Sequence, residues 1–164
     1  MNKQKLLRTH KESHPPDGED GFSCSQENLL PEQTVEPNQL SSTVLIIDDT
    51  PMMISTLSKM LTSKYNVKVA TDGEKGLDLL KQHHVDLILL DIYMPTLSGF
   101  EVLRRLKNNP ETKDIPVIFI TGSDSFKDET KAFALGAVNY IKKPFNEANV
   151  LYLVNLHISR RTMS

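Results

Sequence analysis

The sequence predicts an α/β domain in which helices cover both faces of a parallel β-sheet. From Thr43 onward, short β-branched runs alternate with segments whose apolar residues recur at helical spacing. Two of the strand-like runs, 85–90 and 115–120, are almost continuously apolar, as expected of strands covered on both faces. Strands that alternate with helices pair in parallel through right-handed crossovers, so we expect three layers.

The strands are predicted where β-branched and other large apolar residues cluster between turn signals. In chain order they are TVLII at 43–47, YNVKVA at 65–70, VDLILL at 85–90, IPVIFI at 115–120 and AVNYI at 137–141.

The helices are predicted from helical spacing together with capping residues. The first begins at Pro51, after the N-cap candidate Thr50, because proline suits the first helical position. The fourth ends at Gly136, since glycine readily adopts the left-handed conformation that closes a helix. In chain order the helices run from Pro51 through Leu61, from the cap Asp72 through Leu80, from Phe100 to NNP at 108–110, from 125 to 135, and from the cap Asn146 to near Arg160.

Length and composition limit the other properties of the molecule. A chain of 164 residues with 38% hydrophobic content holds one domain of ordinary size around one core. The net charge of −2 favours neither nucleic acid nor an anionic membrane as a direct partner. Cys24 is the single cysteine, and no apolar run is long enough for a membrane span or a secretory signal. We therefore predict a cytoplasmic protein that is not attached to a membrane.

Residues 1–42 differ in composition from the rest. They contain four of the nine prolines, one valine and no isoleucine, and carry four Lys/Arg against seven Asp/Glu. Such a segment buries too little apolar surface to offset its ordering entropy, so we predict a flexible, disordered leader. A peptide that folds onto a partner is the alternative. The folded domain is expected at 43–160, and 161–164 are expected to form a tail or the start of a linker to an output domain that this sequence lacks.

Polar and charged residues follow the predicted strands. They are Asp48 and Asp49 after the first, Asp91 after the third, Thr121 after the fourth, and Lys142 and Lys143 after the fifth. Each alone could be an ordinary turn or surface residue. However, the carboxyl ends of parallel strands share one edge of the sheet, where open sheets bind ligands. Three aspartates there would repel one another unless a cation lies among them, and carboxylate oxygens without an EF-hand loop favour Mg²⁺ over Ca²⁺.

Such a site is suited to phosphoryl transfer. An aspartate can attack phosphorus and hold an aspartyl phosphate, while a metal ion and a lysine neutralise the developing oxyanion charge. The formal charges of the three aspartates, Mg²⁺ and Lys143 sum to zero. Mg²⁺ and Lys143 would therefore offset the carboxylate charges and supply positive charge for an incoming phosphoryl group. The Thr121 hydroxyl could donate to one of its oxygens.

Four motifs, in this order along the chain, are similar to those of a known family. They are IIDDTP at 46–51, LLDIYMPTLSG at 89–99, PVIFITG at 116–122 and NYIKKPF at 139–145. Together they resemble the receiver domain of response regulators in two-component signalling, of the chemotaxis-regulator type, from Thr43 to near Arg160. The resemblance implies a flavodoxin-like, doubly wound fold with strand order 2-1-3-4-5.

The resemblance also implies a function and a role for each matched residue. A histidine kinase or phosphotransfer protein would phosphorylate Asp91, with no turnover beyond self-phosphotransfer and autodephosphorylation. The fourth helix, fifth strand and fifth helix would then change as a surface for a homodimer or an output domain. For single residues it implies Mg²⁺ ligation by Asp49, Asp91, the backbone carbonyl of Tyr93 and, through water, Asp48; phosphoryl contact by Lys143; a switch pair of Thr121 and Tyr140; and a cis bond before Pro144.

Three other functions fit parts of the pattern. A Mg²⁺-dependent phosphatase would need an acid two residues after Asp91, where Tyr93 stands. A flavin-binding flavodoxin would need a phosphate-cradling loop after the first strand, where Asp48 and Asp49 would repel the phosphate. A receiver that binds partners without being phosphorylated is disfavoured, because all five key side chains are present.

The last helix carries more apolar residues than one buried face requires, which predicts either a partner contact or deep burial. They are Val150, Leu151, Leu153, Val154, Leu156 and Ile158. His157 on this helix is predicted to be a packing or surface residue, and His83 and His84 are predicted to be solvated, with no third ligand at a spacing that favours zinc.

Overall fold

A computed structural model describes residues 42–163. The leader predicted at 1–42 therefore lies, except for Ser42, outside the described residues and stays a prediction. The described part of the chain alternates strands and helices throughout. In chain order the elements are β1 (Thr43–Ile47), α1 (Pro51–Leu61), β2 (Asn66–Ala70), α2 (Gly73–Gln82), β3 (Leu87–Leu90), α3 (Gly99–Asn108), β4 (Val117–Thr121), α4 (Phe126–Ala134), β5 (Asn139–Lys142) and α5 (Glu147–Thr162).

The strands form one parallel sheet in the order β2-β1-β3-β4-β5, which confirms the predicted fold class and strand order. In the sheet's register, Val44 lies opposite Leu87, and Ile118 lies opposite Asn139. Because every neighbouring pair is parallel, the carboxyl ends of all the strands reach the same edge.

The sheet separates two apolar cores. Alternate residues of a strand point to opposite faces, so Leu45 and Ile47 enter one core while Val44 and Ile46 enter the other. The first core is completed by α2, α3 and α4, and the second by α1 and α5. This arrangement gives the three predicted layers and explains why the central strands are apolar along their whole length.

Side-chain caps fix most of the helix starts. Each capping side chain accepts a hydrogen bond from the backbone N–H three residues further on; these residues are Asp72, Ser98, Ser125 and Asn146. Thr50 occupies the N-cap position of α1 as predicted, but its side chain makes no capping bond. Instead, its backbone N–H donates to Oδ1 of Asp48 at 2.8 Å. The start of α1 is therefore tied to an aspartate of the candidate site.

Predicted and observed element boundaries agree within two residues, and the differences have local causes. The strand expected at 85–90 begins at Leu87, because the Asp86 carboxylate accepts a hydrogen bond from the Thr43 N–H at 2.8 Å. The strand expected at 137–141 begins at Asn139, because Gly136, with a φ of 104°, and Ala137 still close helix α4. Their N–H groups donate to carbonyls of that helix.

Helix α5 buries three of the six apolar residues named above and packs two more, partly buried, against the second core. Val150, Val154 and Ile158 lie in the second core, and His157 is buried beside them. Leu151 and Leu153 pack against the same core. Of the two alternatives for this helix, burial thus accounts for most of its apolar surface. The helix ends at Thr162, two residues beyond the predicted end. Across residues 42–163, no helix has the length and apolar character required to cross a membrane.

Candidate functional site

The candidate site lies at the carboxyl-terminal edge of the sheet. The residues that the sequence places after separate strands come together there, because the parallel register brings the ends of β1, β3, β4 and β5 side by side. They are Asp48, Asp49, Asp91, Thr121 and Lys143. Asp72, which follows β2, caps α2 instead.

Three carboxylates and one ammonium group form the centre of this site. One oxygen from each of Asp48, Asp49 and Asp91 lies within 4.8 Å of the others. Lys143 Nζ lies 3.3 Å from Asp48 Oδ2 and 3.7 Å from Asp91 Oδ1. Asp48 and Asp91 are buried, whereas Asp49 is more exposed. One ammonium cannot balance three carboxylates, so the cluster carries a net negative charge.

This donor set fits a magnesium ion. Carboxylate oxygens are hard ligands, and an exposed Asp49 leaves room for the waters that Mg²⁺ usually retains. Within residues 42–163, these aspartates are the one group of three or more acidic, histidine or cysteine side chains close enough to share a metal ion. The predicted contribution of the Tyr93 backbone carbonyl stays a prediction.

The Asp91 carboxyl is electrostatically unfavourable as an anion. Burial raises its pKa above the ordinary value for aspartate, Lys143 opposes this rise, and the charge of Asp48 adds to it. Asp91 Oδ1 also accepts a hydrogen bond from the Ile92 N–H at 2.9 Å, which stabilises the charged form. A metal cation bound beside Asp91 would therefore stabilise its charged form.

A glycine behind Asp91 is part of the site, although the sequence pattern did not identify it. A Cβ atom on Gly99 would lie 2.1 Å from the Asp91 carbonyl oxygen. The Gly99 N–H donates to the Ile92 carbonyl at 2.7 Å. Helix α3 can therefore begin directly against the loop that carries Asp91 only with glycine at this position. The signal was present, since the motif LLDIYMPTLSG ends on this residue.

Thr121 and Tyr140 lie on the neighbouring strands β4 and β5. Thr121 is buried, and its Oγ1 accepts a hydrogen bond from the Ser123 N–H at 3.4 Å. The Tyr140 ring packs edge-on against Phe119, with ring centroids 6.5 Å apart. Its hydroxyl donates to the Ser123 carbonyl at 3.2 Å. The loop after β4 therefore contacts both residues of the predicted switch pair.

The Tyr93 side chain reaches from the loop after Asp91 to helix α4. Its hydroxyl donates to Asp128 Oδ2 at 2.5 Å, and the same oxygen accepts from Ser123 Oγ at 2.6 Å. The bonds from Ser123 and Tyr93 lower the pKa of Asp128, and the Asp128 carboxylate raises the pKa of the Tyr93 phenol. Asp128 and Ser123 were not predicted from the sequence. No local pattern could predict the hydrogen bond between Tyr93 and Asp128, which lie 35 residues apart.

The two lysines at the end of β5 point to different partners. Lys142 Nζ lies 3.6 Å from Glu129 Oε2 on α4, whereas Lys143 faces Asp48 and Asp91. The peptide bond between Lys143 and Pro144 is cis. Lys143 is thus the lysine that the geometry places at the candidate site.

His83 and His84 are exposed, as predicted for solvated side chains, and His157 takes the first of its two predicted roles, that of a packing residue. His84 is largely exposed, and its Nε2 lies 3.0 Å from Asp86 Oδ1. His157 is buried in α5, and its Nε2 has no hydrogen-bond partner among the described residues.

Comparison with known proteins identifies the family. A family model described as the response regulator receiver domain matches residues 44–155. A probable cyclic di-GMP phosphodiesterase from Vibrio cholerae is 43% identical over 119 residues, which are 73% of this chain and 27% of that protein. Protein PilH from Pseudomonas aeruginosa is 37% identical over 113 residues, which are 68% of this chain and 93% of PilH.

A solved structure agrees with these matches. The chemotaxis protein CheY4 of Vibrio cholerae superposes with a TM-score of 0.66 at 28% identity, covering 70% of this chain and 96% of that one. The chain spans 27%, 55% and 49% of the lengths of three curated relatives that it matches. Since the family model matches well over half of the sequence, the chain belongs to the response regulator receiver domain family.

Proposed function

We propose that Asp91 is the phosphoacceptor through which this receiver domain works as a two-component signalling switch. Receiver domains are phosphorylation-activated switches, and the acidic cluster offers carboxylates that can accept a phosphoryl group. The observation that carries the proposal is the position of Asp91, beside Asp48 and Asp49 and 3.7 Å from Lys143 Nζ. Both Asp48 oxygens already accept hydrogen bonds, from the Thr50 N–H and from Lys143, which makes Asp48 the poorer nucleophile.

The proposed step is an in-line displacement at phosphorus. A carboxylate oxygen of Asp91 forms a bond to phosphorus, while the bond from phosphorus to the donor breaks and its electron pair leaves with the donor. The product is an acyl phosphate on Asp91. Lys143 holds its positive charge where the phosphoryl oxygens arrive, and its distance from Asp91 allows it to contact them.

Mg²⁺ is the cofactor that we propose for this step, held by Asp48, Asp49, Asp91 and the Tyr93 carbonyl. Receiver domains generally bind Mg²⁺ at an acidic pocket, and the three clustered carboxylates support the same use here. When bound, the ion supplies positive charge that screens the carboxylates from one another and from the incoming phosphoryl group.

We propose that three residues transmit the structural change caused by phosphorylation of Asp91. They are Thr121, Lys143 and Tyr140. A phosphoryl group adds charge and acceptor oxygens, which favours movement of the Thr121 hydroxyl toward Asp91. Tyr140 lies on the neighbouring strand and would fill the space that Thr121 leaves. Coupling free energies of this kind are about 1–3 kcal/mol, enough to shift a two-state population several-fold or more. The surface of α4, β5 and α5 would change with it.

The partners follow from the family at a coarse level. Response regulators interact with histidine kinases and with output domains. For this chain we propose a histidine kinase or phosphotransfer protein as the donor, in the cytoplasm, and a homodimer or an output domain on the α4, β5 and α5 surface. The only chemistry proposed is self-phosphotransfer and autodephosphorylation, since phosphodiesterase is the name of a relative of which this chain spans 27%.

A mass measurement tests the proposed acceptor. The wild-type chain, incubated with Mg²⁺ and acetyl phosphate, should gain one phosphoryl group, and Asp91→Asn should gain none. Asp78→Asn, a change of the same kind on the exposed face of α2, should be labelled like wild type. Labelling that persists in Asp91→Asn would place the acceptor elsewhere.

A further inference from the structure

A cleft at the edge of the sheet opposite the acidic cluster is lined by side chains that the proposed function does not use. It lies where β4 and β5 begin, beside the last turns of α5, and has a volume of about 600 Å³. A cleft of this size can hold a small organic molecule. The residues that line it are Asp114, Pro116, Val138, His157, Arg160 and Arg161.

The walls of the cleft carry a net positive charge. Arg160 and Arg161 are cationic, whereas Asp114 supplies the one carboxylate among the lining side chains. Burial, and after it the charge of Arg160, lower the pKa of His157, so its imidazole is neutral at pH 7. The lining side chains therefore sum to one positive charge, which favours an anion over a cation as the ligand.

The imidazole of His157 indicates that the cleft has a polar ligand. This residue is only 9% exposed, and its Nε2 atom is buried without a hydrogen-bond partner among the described residues. A buried polar atom without a partner costs free energy. Packing alone would be served better by an apolar side chain, which fills the same space without that cost.

The two arginines also have local roles in the fold. Both lie in the last turn of α5, where positive charge interacts favourably with the helix dipole. The Arg161 guanidinium donates through Nη1 to the Val85 carbonyl at 2.9 Å, which ties α5 to the segment before β3. A guanidinium has five N–H donors, so this bond does not prevent Arg161 from contacting a ligand. Neither role accounts for the unsatisfied nitrogen of His157 beside them.

We propose that this cleft binds a small organic anion that carries one phosphate or carboxylate group. Arg160 and Arg161 contact the charged group, because a guanidinium pairs well with both kinds of oxyanion. The His157 imidazole turns toward the cleft, and its Nε2 gains the hydrogen-bond partner that it lacks. Pro116 and Val138 contact an apolar part of the ligand.

This site is separate from the one at which Asp91 is proposed to be phosphorylated. The cleft lies at the amino-terminal ends of β4 and β5, whereas the acidic cluster lies beyond the carboxyl-terminal ends of β1 and β3. The inference therefore goes beyond the proposed function, and it can be tested without phosphorylation.

The first test titrates the full chain with phenyl phosphate in the presence of EDTA and follows the histidine side-chain nitrogens by NMR. The chain has five histidines, and His157→Gln identifies the His157 signals by their loss. We expect these signals to shift in a saturable manner, with a dissociation constant of about 1 mM. Triple-resonance spectra give the same assignment if His157→Gln does not fold.

Two further probes define the chemical class of the ligand. Benzoate has a carboxylate in place of the phosphate, whereas benzyl alcohol has a similar ring and no charge. Binding of phenyl phosphate, of benzoate or of both supports the inference and shows which oxyanion the cleft takes. Benzyl alcohol should cause no saturable shift of the His157 signals.

The second test removes the positive charges one at a time. Arg160→Gln and Arg161→Gln should each weaken binding of the preferred anion by about tenfold, since each removes a charged hydrogen-bond donor. Arg104→Gln is the matched control, because Arg104 bonds Glu101 on α3 and does not line the cleft. It should bind as tightly as wild type. Thermal unfolding followed by circular dichroism verifies that each variant is folded.

Each outcome decides the inference. It is overturned if neither anion shifts the His157 signals in a saturable manner, or if benzyl alcohol binds as well as they do. Equal affinity in wild type and Arg160→Gln would also overturn it, and Arg160→Gln decides alone if the loss of the bond to Val85 unfolds Arg161→Gln. The proposed function is untouched by these results, because it is judged from the labelling of Asp91.

Discussion

At the scale of single residues, the Asp91 carboxylate sits where its charge is costly. It is buried, it lies in one cluster with Asp48 and Asp49, and it has one ammonium group within 3.7 Å. Nucleophilic attack on phosphorus requires the ionised form. The site therefore holds a buried carboxylate at the expense of stability, and a bound cation would relieve part of that cost.

This cost predicts that Asp91→Asn stabilises the fold when no divalent cation is bound. The amide has nearly the same shape and removes the buried charge and its repulsion from Asp48. At neutral pH with EDTA, we expect the free energy of unfolding to rise by about 1 kcal/mol, measured by urea denaturation. Asp124→Asn, in the exposed loop, should leave the urea midpoint near that of wild type. A lower midpoint for Asp91→Asn would mean that its hydrogen bond from Ile92 outweighs the repulsion.

The sequence was sufficient to predict which residues of the site come from strand ends. Asp48, Asp91 and Lys143 meet because parallel strands deliver whatever follows them to one edge. No comparable rule predicts the direction in which a side chain points from a loop. The pairing of Tyr93 with Asp128 depends on where the β3–α3 loop lies relative to α4, which is set by tertiary packing and by no local spacing.

At the scale of secondary-structure elements, the start of α3 depends on one close contact. Gly99→Ala would place a Cβ atom 2.1 Å from the Asp91 carbonyl oxygen, a backbone atom that cannot turn away. Either α3 or the Asp91 loop must shift, so we expect a loss of about 1–3 kcal/mol in the free energy of unfolding, together with slower labelling of Asp91.

Gly122→Ala is the matched control for Gly99→Ala, because a Cβ at Gly122 would meet no atom within 4 Å. Urea denaturation should therefore separate the two glycines clearly. Equal stability of the two variants would contradict the close approach at α3.

Helices α2 and α3 are joined by an exposed ion network. Glu101 accepts hydrogen bonds from Arg104 at 2.6 Å and from Arg105 at 3.2 Å, and Arg105 also bonds Glu74 on α2 at 2.9 Å. Arg104, and after it Arg105, lower the pKa of Glu101 from 4.5 to about 2. A carboxyl with a depressed pKa stabilises the fold above its ordinary value and loses that contribution as the pH falls.

The stabilisation by Glu101 should therefore disappear between pH 4.5 and about 2. Glu101→Gln should have a slightly lower urea midpoint than wild type at neutral pH, with the difference shrinking across this window and in high salt. A difference that is independent of pH would assign the effect to packing of the side chain.

The helices and strands could be predicted because their apolar residues recur with different periods. The residues at which they begin and end were harder to predict. The strand β3 is shorter than its apolar run because Asp86 bonds the Thr43 N–H. That bond joins residues 43 positions apart, so it follows from the fold and could not have been read from the run itself. The helix caps Asp72 and Asn146 were predicted correctly, because each bonds a backbone N–H only three residues away and is therefore visible in the local sequence.

At the scale of the whole molecule, the residues that build the two cores are separate from those of the candidate site. The two cores are built from the interiors of the strands, whereas the acidic cluster lies just beyond the ends of β1 and β3. Substitutions in the acidic cluster can thus change metal binding without removing apolar side chains from either core. This separation makes it possible to measure metal binding through its effect on the stability of the domain.

Mg²⁺ that binds the folded chain and not the unfolded one must raise the free energy of unfolding. At a concentration ten times its dissociation constant, the gain is about 1.4 kcal/mol, and the melting temperature rises further with each increase in Mg²⁺. In Asp49→Ala one of the three clustered carboxylates is lost, and because Asp49 is the most exposed of them the fold should tolerate the change. The expected result is a melting temperature that rises with Mg²⁺ in wild type and much less in Asp49→Ala, while Asp124→Asn follows wild type. If Asp49→Ala retains the full dependence on Mg²⁺, Asp49 is not a ligand, and the ion must bind through Asp48 and Asp91 or at another place.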